Sequence, residues 1–206
     1  MRVVLATGNA GKLREFRELL ASIQLDFIPQ STLGIEPPEE TGSTFIENAL
    51  LKARYASACS GLPAIADDSG LSVDALCGAP GVYSARYAGF GASDIENRAK
   101  LLMAMKDVPD PARTARFHCV IVWVKAADDA RPLIGAGVWE GLVLQAACGS
   151  EGFGYDPIFA PRTTSNMQQN NLYLSVAQMP ANLKNLNSHR AAALRSVLQQ
   201  WAALPK

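Results

Sequence analysis

The chain is short of the groups on which several common chemistries depend. It holds only two histidines, His118 and His189, and its four cysteines, Cys59, Cys77, Cys119 and Cys148, are scattered with no C-x-x-C pair. A zinc centre is therefore not expected, and a reduced cytoplasm suits this cysteine usage. Charge is also sparse: 18% of the 206 residues are charged, the formal net charge is zero, and no long basic run occurs. A sequence-independent grip on a nucleic acid polymer needs a cationic surface, so none is expected, although a local anion site remains compatible with neutrality. No uninterrupted apolar segment approaches the length of a membrane span. Arg2 is followed by only a short apolar stretch before Thr7, which offers no secretory h-region. These absences lead to the expectation of a soluble, cytoplasmic protein with no membrane partner.

What is present is ample apolar material, 49% of the residues, enough for one sizeable core or for two lobes sharing one. MRVVLAT reads as a short buried strand, and from Lys12 the apolar residues Leu13, Phe16, Leu19, Leu20 and Ile23 mark one face of a helix. Residues 25–28 suggest a second strand. Thr44 and Glu47 have capping-box spacing, which predicts a helix running to about Ser60 with Gly61 as its stop. LPAIADDSG reads as a strand delivering two aspartates into a Ser-Gly turn, and residues 94–105 as another helix. ARFHCVIVWVK is apolar on both alternating faces, the pattern of a strand buried on both sides. Residues 135–144 suggest further strand interrupted by turns, SEGFGYDPIF a turn-rich loop meeting a short strand, and Ser188 the N-cap of a final helix. Strands and helices alternate without an internal repeat or evident linker, so the expected architecture is α/β (mixed α+β) with a mixed central sheet, in a single domain spanning 1–206.

Five stretches carry candidate chemistry. TGNAGK, comprising Thr7, Gly8, Asn9, Ala10, Gly11 and Lys12, joins the first strand to the first helix. Its spacing fails both the Walker A pattern and G-x-G-x-x-G. The turn is either an ordinary connection with a solvated lysine or an anion cradle formed by backbone N–H groups, the helix N-terminus and Lys12. Asp67 and Asp68 are adjacent on a strand and so point to opposite faces. They are not simply two ligands of one metal: one faces a site while the other caps the following turn. Glu36, Glu39, Glu40 and Glu47 crowd a turn-rich segment. That segment is a solvated acidic loop, or a partner of the aspartates in holding Mg2+, which favours a few carboxylates plus water and phosphate oxygens. Phe153, Gly154, Tyr155 and Asp156 offer aromatic surface and a carboxylate, and Ser188-His189-Arg190 offers imidazole and guanidinium. Aromatics stack on planar bases and Arg and His donate to carbonyl oxygens, but core aromatics, a cap and a surface arginine account equally for each alone.

Taken in order, TGNAGK, EETGSTFIENALLKA, ADDSGL, GAPGVYSARYAG, GFGYDPIF and K-N-x-x-SHR span nearly the whole chain. Their combination resembles the inosine/xanthosine triphosphate pyrophosphatase family. The resemblance implies a mixed sheet opened into two lobes with the nucleotide in the cleft between them, and a homodimer. It implies Mg2+-dependent cleavage between the α- and β-phosphates of ITP, dITP or XTP, giving a monophosphate and pyrophosphate. By motif, Thr7 to Lys12 would bind triphosphate, Lys52 would add positive charge and Ser69 a hydrogen bond. Glu40 and Asp68 would address the metal, with Asp68 also the general base on water. Phe153, Gly154, Tyr155, Asp156, Lys184, His189 and Arg190 would bind the nucleoside end, Lys184 reaching toward phosphate or base. Because Asp67 and Glu39 lie beside the favoured ligands, both one and two metal ions remain open.

These roles agree with elementary chemistry. Water needs a base or a metal to become a nucleophile, and a triphosphate's charge needs cations. A site donating to the 6-oxo group of hypoxanthine or xanthine would reject adenine by roughly 10⁴–10⁵. The chain departs from the family pattern in a polar insert at 163–171, and in Gln178 and Leu183 where acidic residues are expected. The alternatives to this reading are a phosphatase of ordinary dNTPs and a non-catalytic nucleotide-binding protein.

Overall fold

The computed structural model describes residues 1–21, 23–162, 168–169 and 172–204. Its elements in chain order are β1 (Arg2–Leu5), α1 (Ala10–Leu19), β2 (Asp26–Pro29), α2 (Phe45–Ser60), β3 (Ala64–Val73) and α3 (Asp94–Ala104). They continue with β4 (Thr114–Val124), β5 (Leu133–Val143), β6 (Phe159–Pro161), β7 (Gln168–Gln169), β8 (Leu172–Tyr173), α4 (Ala181–Asn187) and α5 (His189–Ala202). Six strands form one mixed sheet in the order β2-β1-β3-β4-β5-β6. β1 pairs in parallel with β2 and β3, and β5 pairs antiparallel with β6. The expected mixed α/β architecture is the one observed.

The chain divides into two compact units: Met1–Asp68, Cys119–Gly137 and His189–Lys206 make the first, and Ser69–His118 with Val138–Ser188 the second. In the first unit the two-residue strand period sorts the side chains into two cores. Val3, Leu5, Ile65, Cys119, Ile121 and Trp123 meet Phe16 and Leu20 of α1 and Ala193, Leu194 and Val197 of α5. Val4, Ala6, Ala64, Ala66, Val120, Val122 and Val124 meet Ala49, Ala53 and Ala56 of α2. The small residues on α2 and β3 let helix and strand approach closely. The same alternation separates the two aspartates of β3: Asp67 continues the Ile65 row, beneath α1 and α5, while Asp68 continues the Ala64 and Ala66 row, beneath α2. The second unit has its own core, in which Leu71, Val73, Leu101, Phe117, Trp139, Phe159 and Met179 are among the buried residues.

The ends of α2 follow its sequence. Thr44 Oγ1 accepts from the Glu47 N–H at 3.2 Å, Glu47 Oε2 accepts from the Thr44 N–H at 3.0 Å, and Gly61 ends the helix in the left-handed region at φ 67°. Two expectations are corrected. β3 runs straight through Asp67, Asp68, Ser69 and Gly70 without the expected turn, and beyond them the Leu71 N–H is taken by Ser84 Oγ at 2.9 Å. β5 is continuous where turns were expected. Its glycines answer close neighbours: a Cβ at Gly135 or Gly137 would run into the α5 backbone, and one at Gly141 into Phe159. A short helix, α4, precedes the final helix, so Ser188 is the C-cap of α4 as well as the residue before α5. Of the polar stretch 163–171, only Gln168 and Gln169 lie within the described residues.

Candidate active site

In the first unit, the fold brings six of the residues singled out from sequence together, Lys12, Glu40, Lys52, Asp67, Asp68 and Arg190, and adds two more, Glu15 and Asn48. The turn after β1 is braced by its own side chains: Thr7 Oγ1 accepts from the Asn9 N–H at 3.2 Å, and Asn9 Oδ1 caps α1 by accepting from the Lys12 N–H at 3.0 Å. Capping places Lys12 in the first turn, on the β3 side of the helix, where its Nζ lies 2.9 Å from Asp67 Oδ2. Lys12 is thus no solvated turn lysine. Asp67 has no solvent exposure and also accepts from Arg190 Nη2 at 3.2 Å. Arg190, at the start of α5, is 2% exposed, and its Nη1 donates to Glu15 of α1. The row Lys12–Asp67–Arg190–Glu15 therefore ties β3 to both helices on one sheet face. Burial opposes ionisation of Asp67, but Lys12, Arg190 and Lys52 overcome it and hold the carboxyl well below the usual carboxylate range.

On the opposite face, Lys52 Nζ lies 2.9 Å from Asp68 Oδ1 and 2.5 Å from Glu40 Oε1. Asn48, one turn earlier on α2, donates from Nδ2 to Asp68 Oδ2 at 3.4 Å and accepts the Gly42 N–H at 2.8 Å. Burial pushes the Asp68 carboxyl up, Lys52 and Lys12 pull it back, and Glu40 adds to the rise. For Lys52, burial works against the charge, yet Asp68, Asp67 and Glu40 together raise the ammonium above its ordinary value. Glu39 is exposed, and Glu47 is committed to its capping box. Adjacent aspartates are thus driven in opposite directions by the helices above and below their strand. Asp68 combines a raised carboxyl with a neighbouring long-chain cation, the condition of a proton acceptor near a charged ligand.

The donor set suits a hard cation. Glu40 and Asp68 present carboxylate oxygens to one ammonium, which shows that the pair accepts positive charge between them. Among the described residues no group of three or more His, Cys, Asp or Glu gathers into a closed metal cage. Two carboxylates leave coordination positions for water and phosphate oxygens, the pattern Mg2+ favours.

In the second unit, residues 153–156 are folded around Asp156. Asp156 Oδ2 accepts from the Phe153 N–H at 2.9 Å and from Lys184 Nζ at 2.6 Å, and the same ammonium stands 4.8 Å from the centre of the Phe153 ring. Gly152, at φ 80°, admits this fold because a Cβ there would collide with the Asp156 carboxylate. Gly154 is clamped by α3: its N–H goes to Asp94 Oδ2 at 2.7 Å and its carbonyl takes Arg98 Nη1 at 2.6 Å. Tyr155 does not offer a stacking face. It is 4% exposed, within the core, with its hydroxyl donated to Ser84 O at 2.8 Å, and burial raises its phenol. Ser69 is half-buried on β3 in this unit, and His189 is 4% exposed at the start of α5 in the first.

The two departures acquire a physical description. Gln178 closes a capping box with Ser175, its Oε1 accepting the Ser175 N–H at 3.0 Å, so an uncharged amide does the work a carboxylate would do there. Leu183 is 41% exposed on α4. Glu15, Asn48, Asp94 and Arg98 were not singled out from sequence. Asn48 and Lys52 share the helical spacing that also places Ala49, Ala53 and Ala56 on the sheet, and that spacing was the available signal.

Known proteins resemble the chain along its whole length. A model described as the Ham1 family matches residues 3–200. A dITP/XTP pyrophosphatase of Pectobacterium atrosepticum is 54% identical over 198 residues, covering 96% of each chain, and one of Yersinia pestis is 52% identical over 197 residues with the same coverage. The structure of a HAM1 protein from Coxiella burnetii superimposes with a TM-score of 0.85 at 44% identity, covering 99% of this chain and all of that one. A nucleoside-triphosphatase, dITP/XTP pyrophosphatase, from Mycobacterium abscessus gives a TM-score of 0.73 at 36% identity, over 96% and 99% of the two chains.

Proposed function

The chain belongs to the Ham1 family, and on that premise we propose that it hydrolyses non-standard purine nucleoside triphosphates, dITP, ITP and XTP, to the monophosphate and pyrophosphate. The observation that carries this reading is the Glu40–Lys52–Asp68 cluster, in which a buried carboxylate with a raised proton affinity sits beside a lysine and a second carboxylate. Asp68 takes the proton of the attacking water as its oxygen bonds to phosphorus, and the bridging bond between the α- and β-phosphates breaks with its electron pair on the departing oxygen. Lys12, at the N-cap end of α1, and Lys52 neutralise the triphosphate, supported by Thr7, Gly8, Asn9, Ala10 and Gly11 of the turn and by Ser69. Glu40 and Asp68 are the residues that would hold Mg2+, which when bound supplies charge neutralisation to the phosphates and acidifies water.

Phe153, Gly154, Asp156, Lys184 and His189 are assigned to the nucleoside end, with Tyr155 supporting them from the core. Arg190 belongs to this nucleoside-binding set as well, and its bonds to Asp67 and Glu15 also fix Asp67 and, through it, Lys12. The reading includes a homodimer and a cytoplasmic setting; no helix among the described residues is long and apolar enough to cross a membrane.

The test is a nucleotide panel with Mg2+, scored by kcat/KM and by product. Pyrophosphate from dITP, ITP and XTP, with dATP and dGTP far poorer substrates, is the expected result. Orthophosphate from dITP, or efficient use of ordinary dNTPs, would place the protein among dNTP phosphatases. Tight binding without turnover would make it a nucleotide-binding protein.

A further inference from the structure

One side chain facing Asp68 has no role in the chemistry above. Asn48 has no solvent exposure and lies on the stripe of α2 that packs against β3. A buried amide costs stability unless its polar atoms are paired. The alanines at 49, 53 and 56, on the same stripe, pack with no such demand. Asn48 therefore calls for a reason beyond packing.

Its two bonds supply one. Gly42 offers a backbone N–H, which only the carbonyl oxygen of the amide can accept, so the NH2 group is left facing the Asp68 carboxylate, a group that only accepts. The amide thus has a single chemically consistent orientation. It joins Asp68 Oδ2 to the loop backbone two residues beyond Glu40, while Lys52 joins Asp68 Oδ1 to the Glu40 side chain. The loop is drawn close enough that a Cβ at Gly42 would stand 2.6 Å from Asn48 Oδ1 and 2.7 Å from Glu47 Cβ. The two ties differ in kind. Lys52 carries a charge that phosphates also attract, whereas the Asn48 amide is neutral and sealed from solvent.

We propose that Asn48 is a positioning residue: it orients the Asp68 carboxylate and keeps the 39–42 loop, and with it Glu40, in register when Lys52 turns toward a ligand. This role rests on the assignment of Asp68 and Glu40 made under Proposed function. It belongs to the supporting shell that orients ligand carboxylates, whose loss typically costs about 10–100-fold in activity or metal affinity.

The experiment measures pyrophosphate release from dITP by the full chain and by Asn48→Asp, Asn48→Ala and Gly42→Ala, with kcat expressed per folded molecule and KM obtained separately. Asn48→Asp keeps the size of the side chain and an acceptor for Gly42 but removes the donor to Asp68. Its kcat is expected to fall about 10–100-fold while KM for dITP changes less than about threefold. Asn48→Ala should show the same fall and, because the loop is also released, need more Mg2+ for half-maximal rate. If Asn48→Asp keeps kcat within about twofold of wild type, Asn48 serves packing only and the role is overturned, even if its melting temperature drops. Should that variant fail to fold, Gly42→Ala, which pushes on the amide from the loop side, decides by the same measure. Wild-type protein that releases no pyrophosphate overturns the functional reading itself, and this role with it; an active wild type beside an unimpaired variant overturns the role alone.

Discussion

Asp67 and Asp68 are neighbours on β3, yet each is held by a different helix system: Asp67 by Lys12 and Arg190 from α1 and α5, Asp68 by Lys52 and Asn48 from α2. The division comes from strand geometry, since consecutive side chains leave a strand on opposite faces. Its chemical result is a division of labour. The first aspartate is a permanently charged anchor for two cations, and the second is a carboxylate whose proton affinity has been raised.

Asp68→Asn separates these roles. Asparagine retains the shape and can still accept from Lys52, so the variant should fold with a melting temperature near that of wild type. Proton abstraction is lost, and general-base removal typically costs about 10²–10⁴ in rate. Pyrophosphate release from dITP measures this, and a wild-type kcat would remove Asp68 from its role.

Asp67→Asn should behave in the opposite manner, as a stability variant. It leaves Lys12 and Arg190 beside a neutral amide, and breaking a buried pair in this way costs about 3–5 kcal/mol. The pH dependence carries a sign. The folded carboxyl is held below its unfolded value, so Asp67 contributes stability that is fully present above about pH 4 and is lost as pH falls toward the folded value. Urea midpoints of wild type and variant should therefore differ by a constant amount from about pH 8 to about pH 5, and converge only below about pH 4. A gap that closes already at about pH 6 would contradict the assignment.

Much of this arrangement was readable from sequence where local chemistry decides the structure. The capping box of Thr44 and Glu47 and the glycine stop at Gly61 are set by neighbours in the chain, and the apolar run marks β4, which is buried on both faces over 119–124 but leaves Thr114, Arg116 and His118 half-buried on one face of its first half. Lys12 was open between a solvated and a binding role because its partner, Asp67, is distant in sequence. Glu15 and Asn48 read as ordinary polar helix residues for the same reason: what makes them unusual is burial, and burial is decided by the sheet beneath them. The turn expected after Asp68 failed because Ser-Gly is a turn signal only when the backbone is unpaired, and here β3 continues. Tyr155 shows the limit of reading aromatics as ligand surface, for its ring fills the second core.

Lys184 provides a test of the nucleoside assignment. Its ammonium neutralises the buried Asp156 and lies over the Phe153 ring, so it organises the loop that would meet the base. In Lys184→Met the carboxylate loses its cation while the alkyl bulk is kept. KM for dITP should rise about tenfold or more with a smaller change in kcat, the signature of binding lost equally in ground and transition states. Steady-state kinetics on dITP and XTP check this. A fall confined to kcat would move Lys184 from the nucleoside to the reacting phosphates.

Gly137 tests whether the placement of α5 matters to the charged row it carries. A Cβ at this position would collide with the carbonyl of His189 and the N–H of Ala193, both backbone groups that cannot move without shifting the helix. Gly137→Ala should therefore destabilise the protein by about 1–3 kcal/mol, the usual cost of overpacking. The displaced helix start also bears Arg190, which fixes Asp67, and Asp67 in turn holds Lys12. Activity should consequently drop by more than the loss of folded protein explains, with KM for dITP rising as Lys12 loses its anchor. Gly91→Ala is the matched control: Gly91 stands at φ 73° with nothing within 4 Å of its Cβ position, so that variant carries backbone strain without pressing on α5. If the two variants lose stability and leave KM alike, the row's geometry does not depend on α5, and the mechanical link from Arg190 to Lys12 is refuted.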